Sequence, residues 1–382
     1  SRTQSRYHLM IEIKKVTTNQ QWHDFLHLPW KIYQNDPYWV PPPLEYIDFL
    51  LNPQKNPFYK HAKRELFMAY KNGQVGGRIV SIIDENYNSY HQAKIGWFGF
   101  FETIPDLSVV KVLLNAAKTW VKTQGMTHIY GPVNPSTNET CGVLIDDFKD
   151  PPCVMMTYNP PYYPELLEQT GLKKVKDLLA YEISLPFRDG IMTRLRKIAI
   201  RLQNKYPHVK IRSINIKNWD EELKKVQEVY NHAWSRNWGF VPMTDAEIHK
   251  MAERLKPLVI PELVWLAEIK TEPVGFLMFL PDYFQVLKHL NGSLSSLGWL
   301  KFLWYRRKIT RIRAVTLGIK RQYHHTGIVP LFLFEAGKAL RRFSYQRLEF
   351  SWLLEDNIPV IRMTEMIHAH LTKRYRIYGT KV

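Results

Sequence analysis

Between Leu317 and Phe343 the chain reads LGIKRQYHHTGIVPLFLFEAGKALRRF. An apolar run enters a basic loop holding His324 and His325, meets a single glycine, Gly327, and starts a helical pattern with Pro330 in its first turn. Residue types in this order can hold an anion. The amides that open a helix lack intrahelical acceptors, and the positive end of the helix dipole faces the same place. The same order also describes an ordinary strand-to-helix connection. A metal reading of the two histidines would recruit His368 and His370, but no carboxylate or cysteine stands at ligand spacing, so no metal is expected.

A second polar concentration is NPSTNETCG, followed by LIDDF and MMTYNPPYY. Asn134, Ser136, Asn138, Glu139, Asp146, Asp147, Tyr158, Asn159, Tyr162 and Tyr163 bring amide, acid and phenol groups close together. Pro135, Pro160 and Pro161 fit a turn-making role for these loops, yet turns alone need fewer such groups.

The elements that position these residues must come from a chain of 382 residues, long for one domain and able to bury two cores. With 45% hydrophobic and 23% charged residues it reads as a folded protein, and no apolar run approaches the roughly 18 residues of a membrane span. The first nine residues, SRTQSRYHL, lack the apolar core of a secretion signal. Met10 followed by IEIKKV reads as the native start, and the nine residues are set aside from fold reasoning. Cys141 and Cys153 form no metal or redox spacing, which fits a reducing, cytoplasmic setting. A formal charge of +18 favours polyanions: nucleic acid, acidic lipid surfaces or a phosphate-bearing cofactor.

Two stretches some two hundred positions apart share a shape. ELFMAYKNGQVGGRIVSII (65–83) and ELVWLAEIKTEPVGFLMFL (262–280) each read as a β-hairpin. The elements downstream of each hairpin match as well. KIGWFGFFE, the helix DLSVVKVLLNAAKTWVKTQG and THIYGPV correspond to RIRAVTLGIK, a helix over 328–343 and RLEFSWLL. Each half then gives a short helix, YYPELLEQTG or IPVIRMTEMI, and a last strand, VKDLLAYEISL or TKRYRIYGTKV. Each hairpin is preceded by a strand and one or two helices, so the chain reads as a tandem duplication with its boundary near 186–190.

This order resembles the GNAT acyltransferase superfamily over nearly all of both halves. GWFGFFE, GPVNPSTNETCGVLID, YNPPYY, PDYFQVLKHLNG, WLLEDN and KRYRIYG are similar to the bacterial YghO-like family of double-GNAT proteins, which includes the bacterial ceramide synthases. The resemblance implies an α/β (α+β) fold of two GNAT-like domains, each a mixed, mostly antiparallel sheet flanked by helices. They are expected over 10–188 and 191–382, the first degenerate for CoA and contributing the acceptor site, the second holding acyl-CoA. It implies an acyl-CoA-dependent N-acyltransferase with acyl-CoA as co-substrate and an amine acceptor, a sphingoid base by analogy. The alternatives are acetyl transfer to a small soluble amine, a Fem-like aminoacyltransferase, and a non-catalytic acyl-CoA-binding or lipid-binding pair. Nucleic acid is not an expected partner.

In the resembled fold the fourth strand splays from the fifth and leaves backbone groups free for the donor. That assigns Leu317, Gly318 and Ile319 to the pantetheine arm, and His324, His325, Thr326, Gly327 and Ile328 to the pyrophosphate, with charge from Lys320 and Arg321. The pattern of the family's loop is kept at Gly327, while His324 and Val329 depart from it. The corresponding first-half loop, FFETIPDLS, carries Glu102 and Asp106 and no glycine, an acidic setting that repels pyrophosphate. Glu349 is the first candidate general base, with Glu355 and Asp356 after it. Asn357 reads more naturally as a helix cap than as a catalytic group. Tyr375 and Tyr378 are candidate acids for the leaving thiolate, or core. Asn134, Asn138, Glu139, Asp146, Tyr158, Asn159, Tyr162 and Tyr163 would receive an amino-alcohol head group.

The insertion PDYFQVLKHLNGSLSSLGWLKFLWYRRKITRIR carries Leu297, Trp299, Leu300, Phe302, Leu303, Trp304 and Tyr305, then Arg306, Arg307, Lys308, Arg311 and Arg313. Aromatic residues beside cations suit an interfacial helix, and an ordinary packed helix with a solvated basic end fits as well. Residues 297–313 are therefore an expected contact with an anionic membrane surface, which would make a cytoplasmic protein peripheral at the inner membrane.

Overall fold

A computed structural model of the protein describes residues 10–382; residues 1–9, set aside above, lie outside the described residues. The elements run β1 (Ile11–Lys15), α1 (Asn19–Ile32), α2 (Leu44–Leu51), β2 (Ala62–Lys71), β3 (Gln74–Asp84), α3 (Glu85–His91), β4 (Ile95–Thr103), α4 (Leu107–Thr123) and β5 (His128–Gly131). Short strands β6 (Val133–Asn134), β7 (Thr140–Cys141) and β8 (Val143–Leu144) precede α5 (Tyr163–Gln169), β9 (Lys173–Ser184) and α6 (Asp189–Lys205). Then come β10 (Val209–Ser213), α7 (Trp219–Ala233), α8 (Asp245–Leu255), β11 (Val264–Ile269), β12 (Glu272–Pro281), α9 (Phe284–Leu287) and α10 (Ser296–Tyr305). The chain closes with β13 (Arg311–Ile319), α11 (Ile328–Leu340), β14 (Arg347–Leu354), α12 (Ile358–Met366) and β15 (His370–Lys381).

These residues form two compact units. The first holds the chain up to Pro151, Thr157–Asp177 and Tyr375–Val382; the second holds Pro152–Met156 and Leu178–Arg374. In the first, the sheet runs β1-β2-β3-β4-β5 and then the end of β15, antiparallel except for β4 beside β5. In the second it runs β10-β11-β12-β13-β14 and then the end of β9, again with one parallel pair, β13 beside β14. The closing strand of each sheet therefore comes from the other half of the sequence.

Local sequence explains most of the elements. The β2–β3 hairpin turns through Asn72 and Gly73, both at positive φ. Thr18 and Gln21 make a reciprocal capping box at α1, as Thr244 and Glu247 do at α8. Val109, Val110, Leu113, Leu114, Ala117 and Val121 recur at helical spacing along α4 and face the first core. Helix α6, which the sequence reading left unassigned, packs Ile191, Met192, Leu195, Ala199 and Leu202 into the second core. It lies so close to α11 that a Cβ at Gly337 would sit 2.5 Å from the Met192 sulfur.

One charged clamp holds the edge of the second sheet. Arg212 of β10 donates to both oxygens of Glu222 on α7 at 2.8 Å and to Glu268 of β11 at 2.9 and 3.1 Å; Lys225 adds a bond to Glu268 at 2.7 Å. Burial by itself would raise both carboxyls, but the bonds from Arg212 hold them below the ordinary range. Their stabilisation is present above the unfolded carboxyl range near 4.5 and is lost as pH falls through the lowered folded values. Arg212→Gln is expected to cost about 3 kcal/mol at neutral pH, by leaving the Glu222 carboxylate without its cation and Glu268 with Lys225 alone. Urea unfolding at pH 7 and pH 4 checks this: the deficit must shrink in acid, and a pH-independent deficit contradicts the clamp.

Candidate active site

In the second unit β13 keeps β12 along one edge, with a register shift at Val315, but pairs with β14 only over Arg311–Ala314 against Arg347–Phe350. Beyond that point the two parallel strands diverge, and Leu317, Gly318 and Ile319 retain β12 alone as a register partner among the described strands. Gly318 has a packing reason of its own, because a Cβ there would lie 2.3 Å from the Trp234 ring.

The chain leaves β13 through a single turn, Arg321–Tyr323, and reaches Gly327 at φ +83°, a left-handed conformation that suits glycine. Helix α11 starts there with no side-chain cap, so its leading amides have no such acceptor. The His324 ring nitrogen Nε2 lies 2.8 Å from the Ile319 carbonyl and folds the loop back onto the strand. Thr326 donates its hydroxyl to the Tyr323 carbonyl, and Arg321, His324 and His325 are exposed. Ile328 is buried in the second core. Lys320 differs from expectation: it is buried with its ammonium between Glu228 and Glu272, so its charge is already matched away from the loop.

Where β13 and β14 part, charged side chains are packed into the interior. Arg313 donates from Nε to the Ser351 hydroxyl at 2.8 Å, from one terminal nitrogen to the Ser351 carbonyl at 2.6 Å, and from the other to the Val154 carbonyl at 3.0 Å. Ser351 in turn donates to Glu349 Oε1 at 2.7 Å. Glu349 is 1% exposed, stands beside Arg313 in the strand register, and its Oε2 has no hydrogen-bond partner among the described residues. Arg311 pairs with Asp282 at 2.9 Å, and Asp282 also accepts the Val154 amide at 2.7 Å. Burial raises the Asp282 carboxyl, Arg311 opposes the rise, and the nearby Glu349 adds to it.

Arg311 and Arg313 are thus interior residues of β13, which corrects their place in the expected membrane-facing cluster. Asp282 was visible only as part of the PDYF motif. Neither arginine carried a local sign of burial, because their partners come from elsewhere in the chain.

The other candidate residues have their own settings. Glu355 is partly buried just after β14, and Asn357 occupies the cap position of α12 without a side-chain cap bond, so the expected capping role is not the one observed. Tyr378 belongs to the first unit, fully buried, and donates to Glu168 at 2.9 Å.

In the first unit the polar loop residues serve mainly their own fold. Asn134 accepts the Phe100 amide at 2.7 Å and donates to Thr140. Asn159 bonds both backbone groups of Leu144, Tyr158 donates to Asp36, and Glu139 accepts from Tyr46. The Asn138 amide donates to Ser136 within the loop, and Asp146 is partly buried. Tyr162 donates to the Thr103 carbonyl.

Tyr163 and Tyr33 both donate to Glu102, at 2.5 and 2.9 Å, beside the buried Arg78. Burial pushes the Glu102 carboxyl up, while Arg78, Tyr163 and Tyr33 oppose the rise. Tyr33 and Arg78 were missed in the sequence for want of any local signal. Here too β4 parts from β5, but the gap is closed by the chain itself. A Cβ at Gly99 would meet the Val133 carbonyl at 1.6 Å, and the Phe100 backbone is taken by Asn134 and by Arg78. The start of α4 is occupied by Asp106, which caps Ser108 and pairs with Lys71.

The chain is 36% identical over 368 residues to Protein YghO of Escherichia coli (strain K12), covering 94% of this chain and 92% of that protein. It is 32% identical over 377 residues to the bacterial ceramide synthase of Caulobacter vibrioides (strain NA1000 / CB15N), covering 96% and 97%. Among solved structures it is similar to a tandem GNAT protein from the clavulanic acid biosynthesis pathway, with a TM-score of 0.55 at 11% identity, over 97% of this chain and 98% of that one. That likeness shows the tandem GNAT fold. No protein-family model matches the chain.

Neither thiol is arranged as a nucleophile. Burial pushes Cys141 up to about 12, and Cys153 is raised well above the ordinary range by burial and by Asp282 and Glu349, against Arg311 and Arg313. Ellman's reagent is therefore expected to leave both thiols of the native protein unmodified and to react with both at once in guanidinium chloride. A thiol that reacts rapidly in the native state contradicts this assignment.

Proposed function

The chain belongs to the family of Protein YghO and the bacterial ceramide synthase, and on that footing we propose that it is an acyl-CoA-dependent N-acyltransferase acting on a lipidic amine of the sphingoid-base kind. The observation that carries the reading is the contrast between the two helices that follow the diverging strands. Helix α11 opens on a left-handed glycine with no side-chain cap, whereas α4 opens on the carboxylate of Asp106. A phosphate is favoured at the first and repelled at the second.

The residues present fit the donor. The leading amides of α11, with the exposed Arg321, His324 and His325, would hold the diphosphate. The one-sided stretch Leu317–Ile319 would lie along the pantetheine arm. Glu349 would supply the base. Its partner-free Oε2 would take a proton from the acceptor ammonium, directly or through water, leaving a neutral amine whose lone pair attacks the thioester carbon. The carbon–sulfur bond then breaks, the thiol leaves with a proton, and an amide remains. Ser351 and Arg313 hold the other face of that carboxylate in place. Protein nucleophiles have no part in this sequence, in keeping with the two raised thiols. A sphingoid base partitions into bilayers, so the reading includes a peripheral encounter with a membrane. No helix of the described residues is long and apolar enough to cross one.

Two variants test the donor and base assignments separately. Gly327→Asn, which tolerates left-handed backbone, is expected to bind palmitoyl-CoA within a few-fold of wild type, whereas Gly327→Glu loses about tenfold or more by placing a carboxylate where the diphosphate would lie. Equal affinity in a folded Gly327→Glu protein removes the loop from the site. Glu349→Gln is expected to lower kcat by about a hundredfold or more with donor affinity nearly unchanged, the loss diminishing as pH rises and the acceptor is already neutral. Wild-type turnover at every pH eliminates Glu349 as the base. Transfer to soluble short-chain amines in preference to sphingoid bases would replace the lipidic acceptor with a small one.

A further inference from the structure

We propose that α10 docks the protein on an anionic bilayer, its outward face entering the headgroup boundary and the cations around its C-terminal end meeting lipid phosphates. The helix is divided lengthwise. Gly298, Phe302 and Tyr305 face the second unit: Gly298 is buried against the Ser293 carbonyl, Phe302 stacks on Tyr283 with ring centroids 5.8 Å apart, and Tyr305 stacks on His289 at 3.8 Å. At 100° per residue the opposite face carries Leu297, Trp299, Leu300, Leu303 and Trp304. All five are between 45% and 69% exposed. Trp299 touches Phe302 edge-on within the helix, with ring centroids 5.7 Å apart, and the face as a whole stays exposed. An apolar helix anchored on one side and exposed on the other marks an interaction surface, since scattered exposed leucines do not gather on one face of a short helix.

Charge selects the partner. Lys301, Arg306, Arg307 and Lys308 are exposed along and just after the helix, and the sequence carries no aspartate or glutamate from Tyr283 to Phe334. Lys308 lies 5.0 Å from the Trp304 ring centroid, so cation and indole are presented together. His289 is lowered by burial and by Lys288, Lys301 and Lys308, a sign that the patch is locally cationic. Indoles and leucines for the acyl boundary, flanked by cations with no acid in the same stretch of sequence, match an anionic lipid surface.

The placement also suits the chemistry. The insertion joins the end of β12 to the start of β13, while the proposed diphosphate loop follows the other end of β13. A nine-residue strand separates them, about 26 Å at the usual rise per residue. A polar donor head in water and greasy chains at the bilayer would then approach the diverging strands from opposite ends. This purpose rests on the lipidic-acceptor reading; the docking is measured without acyl transfer, so failure of one is distinguishable from failure of the other.

Co-sedimentation with phosphatidylcholine vesicles, with and without phosphatidylglycerol, tests the proposal on the full chain. Binding is expected only with phosphatidylglycerol, weakening as salt rises. It should fall about tenfold or more in Trp299→Ser/Trp304→Ser and in Arg306→Gln/Arg307→Gln/Lys308→Gln, with thermal midpoints unchanged because these side chains are exposed. If phosphatidylglycerol vesicles are ignored at low salt, or the variants bind as wild type does, the proposal falls. It also falls if sedimentation equilibrium shows a dimer that only the tryptophan variant breaks while vesicles are ignored, since α10 is then a self-interface.

Discussion

The parallel contact between β13 and β14 lasts four residues, and the unusual chemistry of the second unit stems from where it stops. A parallel strand that loses its neighbour exposes backbone groups that must find other partners or a ligand. On the paired side of the break, the interior admits Arg311, Arg313, Asp282 and Glu349, charges whose desolvation costs several kcal/mol each unless matched. Matching is nearly complete. Arg313 spends its donors on Ser351 and Val154, Arg311 and Asp282 pair, and the short segment Pro152–Met156 supplies the Val154 amide and carbonyl that tie the cluster together. The remainder is one oxygen of Glu349. On the proposed reading, that oxygen is where the acceptor ammonium gives up its proton.

The chain holds two versions of this break, and the two differ in physical terms. In the first unit Gly99 and Gly131 let the chain press against β4, Asn134 takes the amide at the bulge, and the acid of Asp106 fills the helix end. Those glycines are conformationally ordinary; they are there because no side chain fits. In the second unit the glycine has moved to the helix start, where its positive φ matters, and the acid is gone. The Glu102, Tyr33, Tyr163 and Arg78 cluster shows that a buried acid persists in the first unit, but with its hydrogen-bonding committed to neighbouring phenols.

Much of the architecture was legible because it rests on local patterning. The strand read from RLEFSWLL is β14 to the residue, and the two hairpins announce themselves by alternation and turn residues. Helix α6 went unread because its apolar positions are interleaved with basic residues beside the expected boundary. Arg311 and Arg313 were placed on the surface for the same reason: charge type predicts solvent unless the partners are known, and these partners lie 29 and 38 residues away or further. The closing strand of each sheet is non-local in the strongest sense, since either last strand satisfies the same alternation. The loop from Lys320 to Gly327 was read as an anion-binding type with Lys320 adding charge, and the neutralisation of Lys320 by Glu228 and Glu272 had no local sign.

In the proposed complex acyl-CoA lies along the edge of β13 that β14 leaves in the second unit and reaches the start of α11. Amide hydrogen exchange with and without saturating palmitoyl-CoA examines it directly, because each unit reports separately. The account predicts slowed exchange confined to Leu317–Ile319 and to Gly327–Val329, with β4 and the start of α4 unchanged. Protection at Phe100–Leu107 instead, or no protection anywhere at saturating ligand, would contradict it.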